Sequence, residues 1–143
     1  MPQHSTVAYR ALLSFFAKAN RMHEAQYLFH NMPEWDLVSW NTLLLAYAQD
    51  GQGLRAVRLL NELSLVEMPD EISFVSILLV CNHLGNVMDA CSNFCSVTND
   101  YGLKRIIRHY SCMVDVFGRA GYLDLAEYLI DVMPFVPEPW IKV

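Results

Sequence analysis

Trp40-Asn41-Thr42-Leu43-Leu44-Leu45-Ala46-Tyr47-Ala48-Gln49-Asp50-Gly51 opens on an aromatic residue and closes on a glycine eleven residues later. The same interval separates Tyr9 from Asn20, Phe74 from Gly85 and Tyr110 from Gly121. Counted from each opening aromatic, offset +3 holds Leu12, Leu43, Ile77 and Met113, and offset +7 holds Phe16, Tyr47, Cys81 and Phe117. Offset +16 is alanine every time (Ala25, Ala56, Ala90, Ala126). Offset +20 holds Phe29, Leu60, Phe94 and Ile130, and offset +23 holds Met32, Leu63, Val97 and Met133. Agreement in so many columns marks a tandem array, to be read one unit at a time.

Offsets 0, +3 and +7 line one face of a helix, and offsets +16, +20 and +23 line one face of a second. Glycine or asparagine at +11 supplies the left-handed residue that ends the first helix. The small residue at +16 lets the two helix axes approach closely. The spacing predicts helices at about 7–18 and 22–32, 38–49 and 53–65, 72–83 and 87–99, and 108–119 and 123–133. Each unit is then a helical hairpin. One hairpin cannot bury both faces alone, so the expected fold is all-α, a superhelical solenoid of about four helical hairpins. Pro33, Pro69 and Pro134 stand just past second helices, where a helix stops. The third unit instead runs on through a longer connector, Asn99-Asp100-Tyr101-Gly102-Leu103.

The chain has 143 residues, 54% of them hydrophobic, which is rich for a soluble domain. No apolar run is long enough for a membrane span, so helices buried on two sides explain the surplus better. The net charge of −5 does not advertise a nucleic-acid partner. Cys81, Cys91, Cys95 and Cys112 include no C-x-x-C pair and are expected to be small buried thiols of a reduced compartment. Cys91 and Cys95 share a helix face, with His83 and His109 elsewhere, and a zinc site is the weaker reading. Residues 1–5 are expected to be an N-terminal tail, and no targeting segment is visible. The deaminase pattern H-x-E with P-C-x-x-C is absent, as are G-x-x-x-x-G-K-[ST], H-E-x-x-H and G-x-S-x-G. Nothing here argues for catalysis, a cofactor or a small-molecule substrate.

Two helices per unit, with opening aromatics 31, 34 and 36 residues apart at positions 9, 40, 74 and 110, resemble the pentatricopeptide repeat family. More narrowly, the alternation looks like the plant PLS subclass of short, standard and long repeats. Leu37-Val38-Ser39-Trp40-Asn41-Thr42 looks like the opening of a P-type repeat. Asp70-Glu71-Ile72-Ser73-Phe74-Val75-Ser76-Ile77-Leu78 looks like that of a long repeat. Arg108-His109-Tyr110-Ser111-Cys112-Met113-Val114-Asp115, followed by Gly118-Arg119-Ala120-Gly121, looks like the short repeat that precedes the E extension. The competing tetratricopeptide repeat expects glycine four residues after the aromatic, where Leu13, Leu44, Leu78 and Val114 stand. The resemblance implies a right-handed superhelix with repeats at 6–36 (short), 37–70 (P type), 71–106 (long) and 107–138 (short). Residues 139–143 would begin a truncated E-like extension.

In such proteins each repeat presents one base of single-stranded RNA to two side chains, its fifth and its last. The resemblance assigns these as Arg10 and Asp36, Asn41 and Asp70, Val75 and Ile106, and Ser111 and Glu138. Asn41 with Asp70 matches the family's pair for pyrimidine, uracil favoured; an amide offers a donor and an acceptor to a base edge. The plainer reading is that Asn41 solvates the first turn and Asp70 caps the next helix. Val75 and Ile106 cannot hydrogen-bond a base. Arg10 and Asp36 read as an ion pair across the groove, and Ser111 with Glu138 as a surface pair. The second residue of each repeat, which wedges bases apart in this family, is Val7, Val38, Ile72 or Arg108. Asn41 follows Trp40 by about 100° on the helix, so it is expected to leave the packed interior and face the groove.

An acidic RNA binder needs a source of affinity. Lys104, Arg105 and Arg108 cluster, with His109 and Arg119 nearby, although a solvated connector is the plainer reading of that cluster. Base stacking adds about 1–3 kcal/mol per base. The resemblance thus implies a non-catalytic, sequence-specific RNA-binding module of a mitochondrial or chloroplast factor for RNA processing or C-to-U editing. It would bind weakly on its own and work with other RNA editing proteins. Two alternatives remain open: a protein-binding helical scaffold, and a fragment without independent activity.

Overall fold

The structure, a computed structural model, describes the backbone of residues 2–134 and the side chains from residue 7 onward. Among the described residues every element is helical: α1 (Pro2–Lys18), α2 (Met22–His30), α3 (Leu37–Gln49), α4 (Gly53–Val66), α5 (Glu71–Leu84), α6 (Val87–Asn99), α7 (Ile107–Ala120) and α8 (Leu123–Val132). α1 and α2, α3 and α4, α5 and α6, and α7 and α8 each pack as a hairpin. The chain divides into two compact units, 1–69 with α1 to α4 and 70–143 with α5 to α8. In the first, α3 packs on α1, α2 and α4; in the second, α7 packs on α5, α6 and α8. No helix of the described residues is long and apolar enough to cross a membrane.

Seven of the eight expected helices start within a residue of their predicted position. The exception is α1, which reaches back to Pro2, so residues 2–5 of the expected N-terminal tail form the helix's first turn. Proline suits that place, where its missing N–H has no partner to lose.

The turn inside each hairpin is built four times in the same way. Asn20, Gly51, Gly85 and Gly121 have φ of 60°, 78°, 69° and 87°. The following N–H then reaches back to the carbonyl at offset +7: Arg21 to Phe16, Gln52 to Tyr47 and Asn86 to Cys81 at 2.9 Å, and Tyr122 to Phe117 at 2.8 Å. This bond closes the helix end and satisfies a carbonyl that would otherwise lack a partner. Asn20 tolerates the left-handed backbone because it is among the few non-glycine residues that do.

The alanine column is the most uniform part of the core: Ala25, Ala56 and Ala90 are fully buried and Ala126 nearly so. Offset +23 is buried in all four units. Offset +3 is buried at Leu43, Ile77 and Met113, but Leu12 is 43% exposed and Leu13, beside it, is fully buried. Offset +4 is also core at Leu44 and Leu78. In the long connector, Gly102 is left-handed (φ 65°), and the Tyr101 ring lies edge-on to Phe74 with centroids 5.0 Å apart.

Helices α3 and α5 begin on side-chain caps. Asp36 Oδ1 accepts from the Ser39 N–H at 2.9 Å and the Ser39 hydroxyl at 2.8 Å. Asp70 Oδ1 accepts from the N–H groups of Ile72 and Ser73, each at 3.1 Å, and the Ser73 hydroxyl accepts from the Asp70 N–H. Asp70→Ala removes the cap of α5 and is expected to cost about 1 kcal/mol in chemical denaturation. Asp70→Asn, an equally good cap, should leave stability within a few tenths of a kcal/mol.

Candidate nucleic-acid interface

Arg10 and Asp36, the pair that the sequence reading assigns to the first repeat, meet. Arg10 on α1 and Asp36 at the start of α3 form an ion pair, Nη1 to Oδ2, of 3.4 Å, both side chains more than a third exposed. The two oxygens of Asp36 divide the work: Oδ1 caps α3 and Oδ2 holds the guanidinium. Desolvation works against the charged carboxylate, but the bonds from Ser39 and the charge of Arg10 outweigh it and hold Asp36 below its usual 3.8.

Asn41 departs from expectation. It is 8% exposed, more covered than expected of a residue facing a groove. Ser39, Trp40, Asn41, Leu43, Leu44, Ala46, Tyr47 and Ala48 are all buried, so little of the circumference of α3 is free. Asp70 has the capping role described above. Val75 is buried, while Ser111 and Ile106 are half-buried. Glu138, partner of Ser111 in the sequence reading, lies outside the described residues, as do 139–143. Among the second-position residues, Val7 and Val38 are exposed (59% and 54%), Arg108 is exposed and Ile72 is half-buried.

Within the second unit, α5 and α7 border an open groove of about 820 Å³. Val75, Leu79 and Asn82 line it from α5; Arg108, Ser111, Cys112, Asp115 and Gly118 are among its residues from α7. Val75, Ser111 and Arg108, three positions singled out in the sequence reading, thus border one concavity. The Asn82 amide Nδ2 donates to Oδ2 of Asp115. That contact joins residues 33 apart in sequence, and no local pattern announces it.

The basic cluster is dispersed. Arg105 lies 4.5 Å over the Phe94 ring and donates through Nε to the Phe94 carbonyl at 3.1 Å. Its charge therefore sits at the C-terminal end of α6, where the exposed carbonyls favour a cation. Arg119 pairs with Asp115 at 3.2 Å. Lys104 and Arg108 stay exposed.

His109 is fully buried. Its Nδ1 accepts from the Ile106 N–H at 3.1 Å, and its Nε2 donates to the Glu71 carbonyl at 2.8 Å. A carbonyl only accepts and an N–H only donates, so these partners fix the neutral Nε2–H tautomer. Desolvation pushes the imidazole below its usual 6.5. The position has a sequence signal: His109 follows Ile106 by three, as Ser39 follows Asp36 and Ser73 follows Asp70.

The thiols are not uniformly buried as expected: Cys81 is buried, Cys91 and Cys112 are half-buried, and Cys95 is exposed. Among the described residues no group of three or more His, Cys, Asp and Glu is placed to hold a metal. Burial raises the Cys112 thiol to about 11 and pushes Cys81 and Cys91 up as well. Since the thiolate is the reactive species, a maleimide or disulfide probe at neutral pH should modify Cys95 first and Cys112 slowest, as peptide mass mapping over time will show.

Comparison with known proteins agrees with this architecture. A family model described as "PPR repeat" matches residues 7–37, 38–64 and 108–134. A pentatricopeptide repeat-containing protein of Arabidopsis thaliana is 38% identical over 129 residues, covering 90% of this chain and 18% of its own length. Another from the same plant, labelled mitochondrial, is 34% identical over 128 residues, covering 89% of this chain and 17% of its own. The chain therefore spans less than a fifth of the length of these two curated relatives. Among solved structures, the pentatricopeptide repeat protein PPR10 from maize superposes with a TM-score of 0.73 at 26% identity, over 88% of this chain and 19% of that one. Four hairpins with one recurring turn, the conserved alanine column within the chain, and matches over more than half its length have one conclusion: the chain belongs to the pentatricopeptide repeat family.

Proposed function

We propose that this chain is a single-stranded RNA-binding module that reads bases with the fifth and last side chains of its repeats. The observation that carries this reading is the 3.4 Å contact between Arg10 and Asp36: the two positions lie side by side and partly open, as a pair sharing one base requires. Asn41 with Asp70 is the pair that would take a pyrimidine, uracil favoured; Ser111 with Glu138 is the fourth pair; Val7, Val38, Ile72 and Arg108 would flank the bases. The module would belong to the PLS subclass, just before an E extension, in a mitochondrial or chloroplast factor for RNA processing or C-to-U editing. It would have no catalysis of its own and would act with other editing proteins.

A titration of short labelled RNAs at low salt tests the reading. With a uridine opposite the second repeat, binding is expected to be weak and salt-sensitive, and Asn41→Ala and Asp70→Asn should each weaken it. Asp70→Asn is used because it keeps the cap of α5, so lost binding is not lost folding. Binding indifferent to both changes contradicts the assignment.

A second reading has one observation in its favour. Leu125, Tyr128 and Val132 lie exposed along α8, where the same offsets in the other units hold Glu24, Tyr27 and Asn31, then Arg55, Arg58 and Glu62, then Asp89, Ser92 and Ser96. An apolar stripe at that spacing suits a protein partner, as in a helical-repeat scaffold.

A further inference from the structure

The α5–α7 groove contains a polar arrangement that its apolar walls do not explain. Asn82 is 7% exposed and lines the groove. Its Nδ2 is committed to Asp115, while its Oδ1 has no hydrogen-bond partner. A carboxylate only accepts, so the contact with Asp115 fixes the amide's orientation and leaves the acceptor end over. Asp115 is also held by Arg119, Nε to Oδ2 at 3.2 Å, so its charge is balanced.

Gly118 is the second observation. It lies inside α7, lines the same groove, and a Cβ placed on it would meet nothing within 4 Å. Alanine is the better residue for a helix interior, and no neighbouring atom in the protein demands the glycine. A glycine there leaves this wall open to the close approach of a ligand. The fifth and last residues of this repeat, Val75 and Ile106, have no polar atoms in their side chains, so polar recognition here has to come from another residue.

We infer that the α5–α7 groove holds a nucleobase whose exocyclic amino group donates to Oδ1 of Asn82, with Asp115 fixing the amide, so that adenine and cytosine are taken in preference to uracil. The inference rests on the reading of the chain as an RNA binder. Oδ1 has no protein partner and is covered in the free chain, so an amino group reaches it by shifting the groove wall and breaks no existing hydrogen bond of that oxygen. Uracil offers a single N–H between two carbonyl oxygens, and a carbonyl would meet Oδ1 acceptor against acceptor.

The side-chain amide signal of Asn82, followed in nitrogen–proton correlation spectra of the whole chain, tests this with millimolar AMP, CMP and UMP as probes. AMP and CMP are expected to shift the signal and to bind about threefold to tenfold more tightly than UMP, as one neutral hydrogen bond provides. In Asn82→Leu the three should bind alike, at the UMP level. Gly118→Ala should melt at a higher temperature yet bind AMP several-fold more weakly, which decides the matter if Asn82→Leu does not fold. Equal binding of the three nucleotides, no binding, or an unchanged preference in folded Asn82→Leu overturns the inference. The two readings fail separately. RNA binding that depends on Asn41 without a nucleotide preference at Asn82 removes only this inference. RNA binding indifferent to Asn41, with a responding Asn82 amide, removes only the fifth-and-last assignment.

Discussion

His109→Leu should lower the unfolding free energy by about 2 kcal/mol, because two backbone groups each lose the hydrogen bond that the fully buried imidazole makes to them. These are the Ile106 N–H and the Glu71 carbonyl, both now bonded to the imidazole. Leucine fills much of the space, so the loss belongs to the hydrogen bonds more than to a cavity. The same residue gives a pH dependence of known sign. In the unfolded chain the imidazole takes up a proton near 6.5; in the folded chain burial holds its pKa below that. Between the two values the unfolded state binds more protons, so stability falls as pH drops below about 6.5 and levels off once the folded value is passed. Above that window the contribution is fully present. Urea denaturation from pH 7.5 to 5 should therefore show a shallower acid slope in His109→Leu than in the parent chain. Equal slopes would mean that the imidazole titrates normally and is not buried as described.

Leu13→Ala should destabilise by about 3 kcal/mol, while Leu12→Ala, one residue earlier, should cost under about 1 kcal/mol. Leu13 is fully buried and Leu12 is 43% exposed. The contrast matters because the repeat columns assign Leu12, not Leu13, to the core. Denaturation midpoints of the two variants, measured together, decide between column and structure. Equal losses would place α1 in a different rotation about its axis.

That reversal shows what the sequence makes legible. Hairpins, turns and the alanine column were legible because each depends on local chemistry repeated four times. A left-handed residue ends each first helix, and a small residue lies at each close approach. The rotation of a helix about its axis is different, because it depends on what packs on each side. In the first unit α3 contacts three helices, whereas α1 contacts α2 and α3 alone, so equivalent offsets on the two are not equally covered. Leu12 is open for this reason, and the burial round α3 takes Asn41 with it.

In the candidate site, residues close in sequence or set by the repeat were legible, and cross-helix pairs were not. Arg10 and Asp36 form the ion pair that the repeat register implies. Arg105 was read with a basic cluster but is drawn to the Phe94 ring and carbonyl, a contact visible only once the connector is folded. His109 could have been found, since it occupies the cap-partner place of Ser39 and Ser73. Asn82 and Asp115 meet across two helices and leave no trace in either local pattern.

The central claim is that repeat side chains, fifth and last, read bases one by one. A base swap crossed with a side-chain swap tests it most directly. Two labelled RNAs differ only in the base opposite the second repeat, uracil or adenine, and each is titrated against the parent chain and Asn41→Ala. The parent chain is predicted to favour uracil about threefold to tenfold there, the worth of one or two hydrogen bonds to a base edge. Asn41→Ala is predicted to bind both RNAs alike. The same preference in both proteins, or none in the parent chain while it binds RNA, would contradict the account.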